Sequence, residues 1–169
     1  MHYPSHPISQ HVLPLLTFSG ASGVSPAKPT TPFVIGSILV ILQGLIRDQC
    51  YRALGHLYTF EFTFRKDHKL VTSGPYSIVR HPAYAAGAIG IVGMFMCQLS
   101  KGTWMRESGV LGTIIGKVGV GVWVFFEVVR RSVAIARAKR EDEALEKEFG
   151  VVWMEWSKNV RYMLFPGLY

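Results

Sequence analysis

Two short polar segments carry the residues best suited to chemistry. The first reads His68-Lys-Leu-Val-Thr-Ser-Gly-Pro-Tyr-Ser-Ile-Val-Arg-His-Pro-Ala-Tyr84. Gly74-Pro75 marks a turn, and Pro82 suits the first position of a helix. A helix starting there presents unpaired N–H groups and the positive end of its dipole, which favour a carboxylate. Arg80, His81 and Tyr84 crowd that end. The second segment holds Arg137 and Glu141, four residues apart and hence on one helix face. Their ordinary reading is a solvated ion pair of small worth, and a histidine at a membrane boundary is ordinarily interfacial. The chemical reading is a divided pair. Arg137 would clamp a carboxylate with its fork, and Glu141 would hold a cation or hydroxyls.

The elements that must position these residues are apolar. Hydrophobic residues make up 49% of the 169 residues and charged residues 17%, well below the one quarter or so usual in soluble domains. Thr31–Ile46, Ala83–Leu99 and Gly109–Val129 form three apolar runs that predict membrane-spanning helices. Gly87, Gly90 and Gly93 in the second, and the Gly112/Gly116 pair in the third, predict close helix packing. From Ser132 to Phe149 the third helix turns charged and runs out into water, stopping at Gly150. The tail from Val151 mixes Trp153, Trp156 and Tyr162 with Lys158 and Arg161, a composition that lies back on a membrane interface. Residues 1–32, rich in Pro, Ser, Thr and Gly, read as a loop or interfacial segment, and 33–169 as one domain.

Charge sets the orientation. Six Lys/Arg fall in residues 47–81 and eight in 130–169. Three spans put both segments on one side, and the positive-inside rule makes it cytosolic. The net charge of +7 would also suit nucleic acid, but the cations flank apolar spans where the lipid interface uses them, so no nucleic-acid partner is expected. Two distant cysteines exclude a disulfide scaffold, and no Cys/His spacing suggests zinc. No glycine-rich dinucleotide fingerprint, P-loop or nucleophile elbow is present.

The string Leu70-Val-Thr-Ser-Gly-Pro-Tyr-Ser-Ile-Val-Arg-His-Pro-Ala-Tyr84 resembles the signature of the isoprenylcysteine carboxyl methyltransferases and related membrane methyltransferases. Arg137, Glu141-Asp142, Leu145, Phe149-Gly150, Trp153, Trp156, Val160 and Pro166 resemble its second half, over about residues 40–169 in all. The resemblance implies an all-α integral membrane protein with about three spans and a cytosolic C-terminal helix. It implies S-adenosylmethionine as methyl donor, in a site built from 61–84 and 137–150. The cofactor contacts it implies are His68, Lys69, Leu70, Val71 and Tyr76, then His81, Pro82, Ala83, Tyr84 and Glu141. Glu61 is a further polar position that this site could use. Arg137 would face the methyl-accepting carboxylate, as both catalytic and substrate-binding residue. The implied substrate is a prenylated protein C-terminus, or another small lipophilic acceptor, at the endoplasmic reticulum membrane. Asp142 stands where the family often has a second Glu, and Trp153 and Trp156 where Tyr is usual. Two rivals remain: methylation of lipid amines, with Arg137 on a phosphate, and a noncatalytic truncated paralogue.

Overall fold

The structure is a computed structural model that describes residues 29–55 and 69–167. His68, Glu61 and nearly all of the N-terminal segment 1–32 lie outside the described residues. The described part is helical: α1 (Thr31–Leu54), α2 (Pro82–Leu99), a single turn α3 (Trp104–Glu107), α4 (Ile114–Phe149) and α5 (Val151–Asn159). Short 3-10 turns at Gly74–Ser77 and Val110–Gly112 precede α2 and α4. The chain is an all-α membrane protein.

Each helix starts and stops for local reasons. Pro32 and Pro82 sit in the first turns of α1 and α2, where a missing N–H costs nothing. Thr113 caps α4 through its hydroxyl, which accepts from the Gly116 N–H at 3.0 Å. Gly150, at φ 52°, ends α4 and opens α5. α1 runs two turns past the apolar stretch, through Arg47–Leu54. Contacts four residues apart carry it there: Arg47 to Tyr51, and Arg52 to Asp48 at 2.8 Å.

α1 and α2 are long and apolar enough to cross a membrane. Ile38, Ile41 and Leu45 point outward, each more than half exposed, as a lipid-solvated helix requires. α4 differs from the sequence expectation. It begins at Ile114 rather than near Gly109, and its apolar half is interrupted by Lys117 and Glu127. By length and composition, α1 and α2 alone among the described helices pass as spans. The charged half does continue α4 unbroken, giving one helix of 36 residues.

The packing is antiparallel. Gly36 of α1 meets Gly93 of α2 backbone to backbone: a Cβ on either would stand 2.6 Å from the other's carbonyl oxygen. One turn on, Gly90 receives the Gln43 side chain, which would stand 2.7 Å from a Cβ placed there. Gly87 faces α4 instead, with Arg131 Nη1 2.6 Å from where its Cβ would be. So the stripe of three glycines packs as expected but serves two neighbours. The Gly112/Gly116 pair does not join helices. Gly112 precedes α4 and has open space around it, while Gly116 closes over the Val110 carbonyl of its own turn.

Candidate functional site

The start of α2 is where three stretches of chain converge. Backbone bonds fix it first. The Arg80 N–H donates to the Tyr162 carbonyl at 3.0 Å and the His81 N–H to that of Met163 at 2.9 Å. The tail thus straps the approach to α2, and Val79, Val160 and Met163 bury beneath the strap.

Two adjacent carboxylates on α4 then organise the side chains. Neighbouring residues on a helix point about 100° apart, so Glu141 and Asp142 serve different partners. Asp142 Oδ1 lies 2.9 Å from His81 Nε2, and Oδ2 lies 3.1 Å from Arg80 Nε. The second contact is an ion pair whose angle falls short of a hydrogen bond, so the buried Arg80 Nε–H keeps donor capacity. Glu141 Oε1 accepts from the Tyr84 hydroxyl at 2.8 Å and from Arg137 Nε at 2.9 Å. Its Oε2 is 3.6 Å from His81 Nδ1. Two guanidiniums therefore face two carboxylates around one imidazole and one phenol. His81 and Asp142 are buried, while Arg137 stays about half exposed at the rim.

Tyr76 completes the wall from the other side. Its hydroxyl pairs with the Cys50 thiol at the end of α1. Burial first, and then that thiol and the nearby Glu141 carboxylate, push the phenol well above its usual value of 10. It is a neutral hydrogen-bonding group at any physiological pH.

Of the residues expected from the sequence, the structure gathers His81, Tyr84, Arg137 and Glu141 by direct contacts, and Tyr76 beside them. Pro82 and Ala83 form the helix start itself. Lys69 is exposed, and Leu70 and Val71 are partly covered; none of these three has a polar contact in the cluster. Arg137 and Glu141 share a hydrogen bond instead of standing apart. Arg80 is where the sequence puts it, at the start of α2, but the sequence assigns a role neither to it nor to Asp142, and Cys50 is not expected at the site. The pairing of Arg80 with Asp142 is legible as complementary charge on the immediate neighbours of His81 and Glu141. Trp153 is buried and Trp156 partly buried, and the indole N–H groups of both are buried with no acceptor among the described residues. The Trp153 ring lies 6.0 Å from the Arg80 guanidinium, a cation–π distance.

Against known proteins, a family described as phospholipid methyltransferase matches residues 31–115, half of the chain. The chain belongs to the phospholipid methyltransferase family. The matched stretch takes in α1, α2 and the string from Leu70 to Tyr84. Protein-S-isoprenylcysteine O-methyltransferase B of Arabidopsis thaliana is 28% identical over 127 residues, 74% of this chain and 55% of its own length. The A form is 27% identical over 129 residues, with the same coverage. The expected resemblance to isoprenylcysteine methyltransferases is thus borne out. This phospholipid methyltransferase family member spans about half the length of those curated relatives. A 30-residue stretch is also 57% identical to the cobalt-zinc-cadmium resistance protein CzcN of Cupriavidus metallidurans. No solved structure matches.

Proposed function

We propose that this chain transfers a methyl group from S-adenosylmethionine to the C-terminal carboxylate of a prenylated cysteine. The observation that carries this reading is the balanced cluster at the start of α2: Arg80, His81, Tyr84, Arg137, Glu141 and Asp142. It lies in a chain similar to isoprenylcysteine O-methyltransferases.

The donor set fits the cofactor. A zwitterion bearing hydroxyls needs both signs of charge and uncommitted donors. Arg80 lines a cleft of about 380 Å³ with Lys139, Asp142, Glu143 and Met163, and the indole N–H groups of Trp153 and Trp156 have no acceptor among the described residues. Glu141 would accept from ribose hydroxyls or the amino group, with His81, Pro82, Ala83, Tyr84 and Tyr76 as walls. His68, Lys69, Leu70 and Val71 would close it from the preceding loop. The cofactor supplies an electrophilic methyl on a sulfonium. The protein's share is then positioning and exclusion of water, since a carboxylate is already a nucleophile and the thioether leaves without a proton. Arg137 would hold the acceptor carboxylate by two parallel bonds. Its bond to Glu141 ties the acceptor clamp to the cofactor-facing carboxylate. The apolar chain of the substrate would enter sideways from the bilayer, where its surface is already at home.

The reading includes the endoplasmic reticulum membrane, with residues 47–81 and 130–169 in the cytosol. The contacts from Arg80 and His81 to Asp142 support one shared side for both segments. A second reading, methylation of a lipid amine, draws on the matched family's description. One assay separates the two. The full chain in lipid is given labelled S-adenosylmethionine with farnesylated cysteine and phosphatidylethanolamine side by side. Label in the cysteine ester supports the first reading, and label in the lipid alone overturns it.

A further inference from the structure

A second set of polar side chains lies along the contact of α2 with α4, further from the start of α2 than the cluster just described. Along α4, Trp123, Glu127, Arg131, Ala138 and Asp142 share the face turned to α2. At one end of this face Trp123 stacks on Phe95, ring centroids 4.3 Å apart. At the other end Asp142 meets His81. Arg131 comes between, opposite Gly87. Gly87 is six residues into the apolar reach of α2 from His81, about 9 Å along the axis at 1.5 Å per residue.

The charges at this level do not balance. Glu127 is buried, its side chain 6% exposed, and its Oε1 is 2.8 Å from Arg130 Nη2. Its Oε2 is buried without a hydrogen-bond partner. Arg131 has no ion pair among the described residues, and its Nε is buried without an acceptor. Arg130 is itself 62% exposed, so what stands where the apolar run of α4 gives way to its charged half is a buried carboxylate with one unused oxygen beside a guanidinium with no counter-charge among the described residues. Ionisable groups in such places are costly unless a counter-charge joins them. A guanidinium also presents donors fixed to meet two oxygens at once.

We propose that Arg131, with Glu127 beside it, binds the anionic head of an amphiphile lying in the bilayer, a carboxylate or a phosphate. Arg131 supplies the fork, Glu127 Oε2 accepts from a donor on the same head, and the Phe95–Trp123 stack bounds the groove above. The site goes beyond the methyl-transfer reading. If its ligand is the acceptor, Arg131 captures the acid before Arg137 does, and that part rests on the methyl-transfer reading.

The test is equilibrium binding to the full chain in phosphatidylcholine nanodiscs, corrected for empty discs. Three probes share one tail: N-acetyl-S-farnesylcysteine, its neutral methyl ester, and farnesyl phosphate. The wild type is expected to prefer at least one anion over the ester by about tenfold, worth roughly 1.4 kcal/mol. Arg131→Gln should cut the preference severalfold, what remains being the share of Arg137, and Arg131→Lys should lose less. Gly87→Ala keeps every charge but pushes the guanidinium aside, and should cut the preference severalfold. These two variants carry the test if Arg131→Gln does not fold. Preference for the acid marks the acceptor as the ligand; preference for the phosphate marks a lipid. No anion preference in the wild type, or one that Arg131→Gln leaves unchanged, overturns the proposal. Methyl transfer plays no part in this readout, so failure of the proposed activity shows separately.

Discussion

Where α1 meets α2 the contact is backbone against backbone; where α4 meets the start of α2 it is polar side chain against polar side chain. Gly36 and Gly93 bring two main chains together with no room for a methyl group. His81 and Asp142, by contrast, meet through flexible groups that can be re-aimed. The first joint holds a platform still. The second lets α4 adjust on it, which is what a site that must admit and release ligands needs. The two joints therefore differ in how they should fail.

Asp142→Ala should be the most damaging change. It strips the carboxylate from both Arg80 and His81 and leaves a buried guanidinium unpaired, a loss of about 3–5 kcal/mol. Thermal unfolding in detergent reads it, and a loss under about 1 kcal/mol would mean the junction is only a surface contact. Next is Gly93→Ala, at about 1–3 kcal/mol of overpacking, because the new methyl faces the Gly36 carbonyl and the Leu39 Cβ. Gly90→Ala meets only the Gln43 side chain and should cost clearly less. Equal costs would show that the seam is as adjustable as the junction.

Within the junction, Glu141→Gln should raise the cofactor dissociation constant about tenfold, or roughly 1.4 kcal/mol. Arg137→Lys should leave that constant nearly intact and lower turnover sharply, since lysine lacks the fork. Titration calorimetry with parallel rate measurements distinguishes them, and two variants that behave alike would sink the division of labour. Tyr76 gives a smaller, pH-dependent effect. Its folded pKa is raised, so its contribution is fully present below pH 10 and is lost as pH rises beyond that value. The loss is at most about 1.4 kcal/mol per pH unit. Comparing wild type and Tyr76→Phe at pH 8 and pH 11 isolates it: the wild type should lose more. Smallest of all, Asp48→Asn breaks the exposed Arg52 pair and should cost under about 0.5 kcal/mol.

Much of this architecture is legible in the sequence because apolar runs, prolines and glycines act locally. Pro82 starts α2 and Gly150 ends α4, as the sequence predicts, and His81, Tyr84, Arg137 and Glu141 do come together. What escapes is whatever depends on distant partners. Asp142 reads as a departure from a family pattern until His81, 61 positions away in sequence, closes on it. The Gly112/Gly116 spacing mimics a helix seam, but a turn at Val110–Gly112 removes one of the two from the helix. The polar extension of α1 to Leu54 is hidden because hydropathy ends at Ile46, whereas side-chain pairs four residues apart continue the helix.

The unbroken run of α4 has a mechanical consequence. At 1.5 Å per residue its 36 residues make a rod of roughly 54 Å, against about 30 Å for the hydrocarbon layer. A rod has no joint at which one half can move without the other. Any tilt of its apolar half is copied, as a lever copies it, at Glu141 and Asp142. A series of lipids of increasing chain length would read that lever as a change in cofactor affinity, and a constant affinity would show that this half of α4 does not answer to bilayer thickness.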